Sequence, residues 1–261
     1  MKPAAMRGVP WALRCCRSAW PSKWMRSSPS GPDPLDPGPV GFAHRGLHSG
    51  TLPENSLNSF AAALELGAGI ECDLRLTVDN RIVVFHDADA WRLCASPMRI
   101  GASTLEKLSR LRIGGQPIPT LESLLRMVAG RVPLLIEIKV DKDAWRWAPA
   151  LSETLKQYSG PIGVMSFDPR ILRLMKTSMP EIRRGLIVRA GLSPFRRWFA
   201  MRLGNPHFIA VDRAALGEPW VARTRRRLPV YCWTIGTAKD RAQAEVQADA
   251  LIWEGDGRPR I

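Results

Sequence analysis

Residues 69–87 read GIECDLRLTVDNRIVVFHD. Two apolar runs, Gly69–Leu76 and Ile82–His86, flank a polar turn centred on Asp79-Asn80, so they are expected to pair as an antiparallel hairpin. The first run also carries Glu71 and Asp73. Side chains two apart on a strand share a face, which places both carboxylates on one side, about 6–7 Å from each other. The rest of the run is apolar, as expected of a strand covered on both faces.

Outward from this hairpin the chain alternates between strand-like and helix-like segments. Further strands are expected at Val40–His44, Pro133–Val140, Ile162–Phe167, Gly185–Val188, Phe208–Val211, Pro229–Thr234 and Ala250–Trp253. Helical patterns cover Asn55–Leu66, Thr120–Ala129, Ala144–Tyr158, Pro169–Thr177, Pro194–Leu203, Glu218–Arg227 and Lys239–Gln247, many opening after Pro, Ser, Thr or Asp. Repeated strand–helix units over about 220 residues imply an α/β fold with a parallel sheet. Nine strand candidates are one too many for a closed (β/α)8 barrel, and the hairpin accounts for the surplus. The expected fold is therefore a distorted TIM barrel, irregular at its second strand. An open doubly wound sheet is the alternative, though the Gly-rich phosphate loop after its first strand is lacking.

Residues 1–39 read as an extension outside this fold, with the barrel domain over 40–261. They are rich in Arg, Ser and Pro and end in SSPSGPDPLDPGP, which no regular element accommodates. Arg14 and Arg17 interrupt the only apolar stretch a secretory signal could use. The whole chain carries +14, and without residues 1–40 it keeps 32 basic against 22 acidic residues, so the body is itself basic. Such charge attracts phosphates or anionic surfaces, but no nucleic-acid-binding motif or aromatic interleaving accompanies it, and no nucleic acid partner is expected. No transmembrane stretch is present, though the aromatic and Arg-rich segment Leu192–Leu203 leaves peripheral membrane contact open. Five cysteines without CxxC spacing suggest neither a disulfide framework nor zinc, and a reducing, cytoplasmic setting is expected.

The chemistry lies in where charges interrupt the apolar strands. Glu137 and Lys139 alternate within Leu134–Val140 as Glu71 and Asp73 do within Gly69–Leu76. Taken alone, either strand could simply turn its charges to water. In a barrel whose outside is covered by helices they must face the lumen or its mouth, where an unpaired carboxylate costs several kcal/mol. Three inward carboxylates without clustered His or Cys suit one hard divalent cation, Mg2+ or Ca2+. His44 and His86 each end a strand and are each followed by a charged residue, Arg45 and Asp87. Imidazoles titrate near neutrality, so one can accept a proton from a nucleophile while the other protonates a leaving alkoxide. His44 is taken as base and His86 as acid; Arg45 and Lys139 are the phosphate contacts.

The series His44-Arg45-Gly46, Pro53-Glu54-Asn55-Ser56, Glu71-Cys72-Asp73, His86-Asp87 and Glu137-Ile138-Lys139 resembles the glycerophosphodiester phosphodiesterases in order and spacing. The later strand ends Ser166-Phe167-Asp168 and Trp233-Thr234 extend the similarity over about residues 40–235. The resemblance implies a metal-dependent barrel enzyme that cleaves glycerophosphodiesters, small-molecule substrates, to glycerol 3-phosphate and an alcohol. Carried over by position, Glu71, Asp73 and Glu137 hold the metal and His44 and His86 form the acid/base pair. Arg45 and Lys139 bind phosphate, Glu54 contacts the substrate or supports the metal, and Trp233 walls the glycerol side. Cys72 should point away from its acidic neighbours. Two departures stand out: a short stretch between His86 and Ile118-Pro119-Thr120, and Trp253-Glu254-Gly255-Asp256 where the family tends to carry a Thr-Asp-x-Pro-like turn. Two rival readings are a lysophospholipase D-like enzyme acting on lipids and a non-catalytic phosphate-ester-binding barrel.

Overall fold

The computed structural model describes residues 33–259. Eight parallel strands close into a barrel: β1 (Phe42–Ala43), β2 (Gly69–Leu76), β6 (Leu134–Ile138), β7 (Ile162–Ser166), β8 (Arg183–Val188), β9 (Phe208–Asp212), β10 (Val230–Ile235) and β11 (Ala250–Trp253). Closure occurs because β1 pairs with both β2 and β11. The surplus strand β3 (Ile82–Val84) is antiparallel to β2, aligned Leu74 with Val84 and Leu76 with Ile82, as the hairpin reading requires. β1 pairs with β2 only at Gly69 and Ile70, so β3 occupies the same edge further along.

Helices α1 (Leu57–Glu65), α4 (Leu121–Val128), α5 (Trp147–Leu155), α6 (Pro169–Ser178), α7 (Pro194–Gly204), α8 (Pro219–Arg225) and α9 (Ala238–Glu245) form the outer layer. Their starts follow local chemistry: Ser56, Thr120, Asp168, Ser193 and Thr237 each accept a backbone N–H of the first turn, and proline opens α6, α7 and α8. Between β3 and α4 the chain makes an excursion containing α2 (Trp91–Cys94), α3 (Leu105–Leu108) and the ribbon β4 (Arg112–Ile113) with β5 (Gln116–Pro117), elements the sequence reading leaves unassigned. Val83, Phe85, Ile100, Leu108 and Ile113 give this excursion a small core of its own.

Strand alternation divides the buried residues into two sets. Cys72, Leu74, Ile136 and Val164 face the helices, and Cys72 is thereby directed away from the carboxylates beside it in sequence. Phe42, Leu135, Met165, Ile187, Phe208, Tyr231 and Ile252 fill the lumen. Two residues further along five of these strands the same inward position becomes chemical: Phe42 leads to His44, Leu135 to Glu137 and then Lys139, Ile187 to Arg189, Tyr231 to Trp233, and Ile252 to Glu254. An apolar floor thus carries a polar mouth at the C-terminal ends of the strands.

The expected boundary at Val40 needs correction at its last few residues. Leu35 is buried among the lumen residues, its side chain occupying the space left where Gly163 has no Cβ, and Asp33 pairs with Arg183 of β8. The folded body therefore includes Asp33–Pro39; the remainder of the expected extension lies outside the described residues. Leu35 closes the floor of the barrel by burying apolar area. Leu35→Ala is expected to lower stability by roughly 2–5 kcal/mol in urea unfolding, because a closed barrel cannot collapse onto the gap. An unchanged midpoint would show that the plug contributes nothing.

Candidate active site

The register between β2 and β6 assembles the acidic cluster. Asp73 lies beside Glu137, and Glu71 beside Leu135, so all three carboxylates share the inward face of adjacent strands. All are buried, and one oxygen from each falls within 4.8 Å of the others. The His44-Arg45-Gly46 turn locks onto this cluster through its backbone. Arg45 sits at φ 55° and donates its N–H to Glu71 Oε2 at 3.1 Å. Gly46 follows at φ 82°, where a Cβ would run into Ser59 of α1, so glycine alone fits. Asn55, at φ 52°, donates from its backbone to the Arg45 carbonyl and clamps Asp73 with its side chain, donating to Oδ2 at 2.9 Å while accepting the Asp73 N–H. Two left-handed non-glycine residues side by side mark a backbone held for geometry rather than for local preference.

Two cations lean on the acidic cluster. Lys139 Nζ lies 3.0 Å from Asp73 Oδ1 and 2.6 Å from Glu137 Oε1. Arg45 Nε is 3.1 Å from Asp73 Oδ2, while its Nη1 donates to Glu54 at 2.7 Å. Neither Glu137 Oε1 nor Arg45 Nε is aligned for a hydrogen bond, so both buried atoms are held by charge alone. The sequence assigns Glu54 to substrate or metal, and the structure sets it against two arginines: Arg45, and Arg92 of α2, which donates to both of its oxygens at 2.8 Å. Arg92 also donates to Asp87 at 2.7 Å, tying the excursion to the mouth.

Each histidine carries its own carboxylate. His44 Nδ1 is 2.7 Å from Glu254 Oε2, and His86 Nδ1 is 2.7 Å from Asp87 Oδ1. Pairing at Nδ1 leaves Nε2 of both rings available for proton transfer. The Arg75 guanidinium reaches from β2 to hold the His86 carbonyl at 2.9 Å and Asp141 at 2.7 Å, which sets the loop after β3. Trp233 projects from β10 at the mouth, its indole donating to the Ala210 carbonyl at 3.1 Å and its ring meeting Phe167 edge-on at 5.6 Å. Arg189 covers the Phe167 ring at 4.4 Å, adding a cation to that side.

Burial and crowding divide the carboxylates electrostatically. Burial first, then the charges of Asp73 and Glu137, push Glu71 well above the usual carboxylate range. Burial and Asp73 likewise raise Glu137 to about 7. Burial pushes Asp73 upward too, but Lys139, Arg45 and His86 outweigh it and hold this group far below its ordinary value. For His86, burial is the leading influence; with help from Lys139 and Arg45 it lowers the imidazole against the pull of Asp73 and Asp87. The hydrogen bond from His44, followed by the His48 ring 3.4 Å away, lowers Glu254 strongly. Three acids therefore share two cations, one of which also serves Glu54. Oxygen-only donors with excess negative charge fit a hard divalent cation, and they fit zinc poorly.

Glu254 and Arg92 are the functional candidates that sequence reading missed. Glu254 sits two residues beyond the lumen residue Ile252, so the two-residue period points it into the mouth, a signal available once β11 is placed. Arg92 lies in a stretch without periodicity, and only its contacts reveal it.

The family model described as the glycerophosphoryl diester phosphodiesterase family matches residues 44–254. A glycerophosphodiester phosphodiesterase of Caldanaerobacter subterraneus subsp. tengcongensis is 33% identical over 58% of this chain and 67% of its own length. The Bacillus subtilis protein YhdW is 29% identical over 81% of this chain and 92% of its own. Among solved structures, an Oleispira antarctica phosphodiesterase in complex with the product sn-glycerol-3-phosphate superposes with a TM-score of 0.74 at 25% identity, over 83% of this chain and 92% of that one. The family model spans most of the chain and the closed barrel agrees with the solved structures: the chain belongs to the glycerophosphoryl diester phosphodiesterase family.

Proposed function

We propose that this enzyme hydrolyses glycerophosphodiesters to glycerol 3-phosphate and an alcohol, using one Mg2+ or Ca2+ held by Glu71, Asp73 and Glu137. The observation that carries the proposal is the convergence of three buried carboxylates from β2 and β6 with two carboxylate-paired histidines at one barrel mouth. When bound, the cation supplies Lewis-acid polarisation of the phosphoryl oxygens. Arg45 and Lys139 stand beside it as phosphate partners, a planar fork and a point charge that favour the charge developing on the phosphoryl oxygens. Glu54 and Arg92 orient the Arg45 side chain, and Trp233 with Phe167 offers an apolar wall.

Attack by water, or by the neighbouring glycerol hydroxyl to give a cyclic phosphodiester that water then opens, forms a new O–P bond and releases a proton to one imidazole. The P–O bond to the alcohol breaks, and the departing oxygen takes a proton from the other. The environment of His86 favours its neutral form, which suits the base; His44, held by the ionised Glu254, then serves as acid. This ordering reverses the sequence-based assignment. It follows chiefly from the burial of His86, with the charges of Lys139 and Arg45 adding to it, which the spacing of the motifs does not reveal.

The product-bound Oleispira protein supports glycerol 3-phosphate as the product. The test is a product assay by 31P NMR on several glycerophosphodiesters, with chelator and with each cation restored. Glycerol 3-phosphate should appear with cation and vanish with chelator. Binding without release of glycerol 3-phosphate from any substrate would favour a non-catalytic barrel.

A further inference from the structure

Exposed apolar side chains are gathered at one end of this barrel. Of the seven large apolar residues that stand exposed among the described residues, only Val246 lies at the end opposite the site, after α9. Val78, Trp91 and Trp145 occupy segments that leave the catalytic ends of the strands, and Phe195, Trp198 and Phe199 belong to the first two turns of α7. Helices of such a barrel run antiparallel to their strands, so the start of α7 adjoins the mouth. The last three are 72%, 59% and 52% exposed, and the Phe195 and Trp198 rings stack at 6.2 Å. Isolated exposed apolar residues need no explanation, but a one-sided aromatic group does.

Charge accompanies this surface. Pro194–Gly204 of α7 carries three arginines and no acidic residue. Arg196 and Arg202 are exposed on α7, and Arg197 lies over the Trp220 ring of α8 at 4.2 Å. Between α7 and α8 runs a groove of about 920 Å³ with Met201 and Trp220 among its lining and Arg197, Arg223, Arg226 and Arg227 around it. Aromatic rings beside an excess of arginines, with Glu218 engaged by the Trp220 indole at 2.6 Å, match the boundary between lipid headgroups and acyl chains: the rings enter the interface and the guanidiniums meet lipid phosphates. No described helix is long and apolar enough to cross a membrane, so any attachment through this face is peripheral.

We propose that the exposed face of α7, with the arginine-rimmed groove beside it, docks on the surface of an anionic phospholipid bilayer. This face lies along the flank of the barrel, with the start of α7 adjoining the mouth. The inference stands apart from the assigned reaction, because binding is read without turnover.

The test is co-sedimentation of the full chain with vesicles of phosphatidylcholine alone or enriched in phosphatidylglycerol. The protein should pellet with the anionic vesicles, remain in solution with the neutral ones, and be released near 1 M salt, where the Debye length is about 3 Å. Phe195→Ser with Trp198→Ser should weaken anionic-vesicle binding roughly tenfold or more, since each buried aromatic contributes substantially to interfacial affinity. Both side chains face solvent, so the variant should keep its thermal transition and its turnover of a soluble substrate. Equal binding to neutral vesicles, or unaltered binding by the variant, would overturn the proposal. So would loss of binding only on removal of residues 1–32, a dimer dissociated by the same substitutions, or preferential capture of single-stranded oligonucleotide by this face.

Discussion

Glu137→Gln is expected to lower turnover by roughly three orders of magnitude while making the metal-free protein more stable at neutral pH. The two effects share one cause. Glu137 is buried beside Asp73 and Glu71, and burial with the Asp73 charge raises it from an ordinary 4.5 to about 7. Its folded value lies above its unfolded one. The folded protein therefore retains a proton that the unfolded chain has lost, and metal-free stability falls as pH rises from about 4.5 to about 7. The amide removes that dependence. It also removes one of the three oxygen ligands proposed for the cation, and losing about 4 kcal/mol of transition-state charge stabilisation corresponds to roughly 10³ in rate. Thermal unfolding with and without cation is the check, across this pH range. Wild type should gain stability from Mg2+ or Ca2+ most strongly above pH 7, and Glu137→Gln should gain little. A cation-induced shift equal in both proteins would remove Glu137 from the metal site.

His44→Ala and His86→Ala should each cost roughly two to four orders of magnitude on a natural glycerophosphodiester. They should separate on a substrate whose leaving group needs no proton. With a nitrophenyl diester the departing phenolate is stable unprotonated, so loss of the acid is tolerated and loss of the base is not. His44→Ala should recover most of its activity on that substrate, and His86→Ala should not. The opposite outcome would return the base role to His44, the assignment that the sequence alone suggests. Activity unaltered in either variant on both substrates would exclude that histidine from the mechanism.

Much of this site was legible before any coordinates. Asp79-Asn80 between two apolar runs announces the hairpin, and the hairpin explains why nine strand candidates make an eight-stranded barrel. Glu71, Asp73 and Glu137 stand out because a charge inside a doubly covered strand has few tolerable positions. The excursion after His86 was not legible. Its elements are two to four residues long, too short for a periodic signal, and they are held by a local core around Phe85 and Ile100.

Strand and helix periodicity, turn chemistry and the order of the motifs are properties of neighbours in the chain, so the sequence by itself determined the barrel and which charges face inward. Only the tertiary structure decided who partners whom. Glu254 meets His44 across 210 residues, Arg92 reaches Glu54 across 38, and Leu35 enters the lumen from a proline-rich stretch that reads as linker. Such pairings depend on strand register and barrel closure, which bring distant segments within hydrogen-bond range; no local pattern encodes that distance.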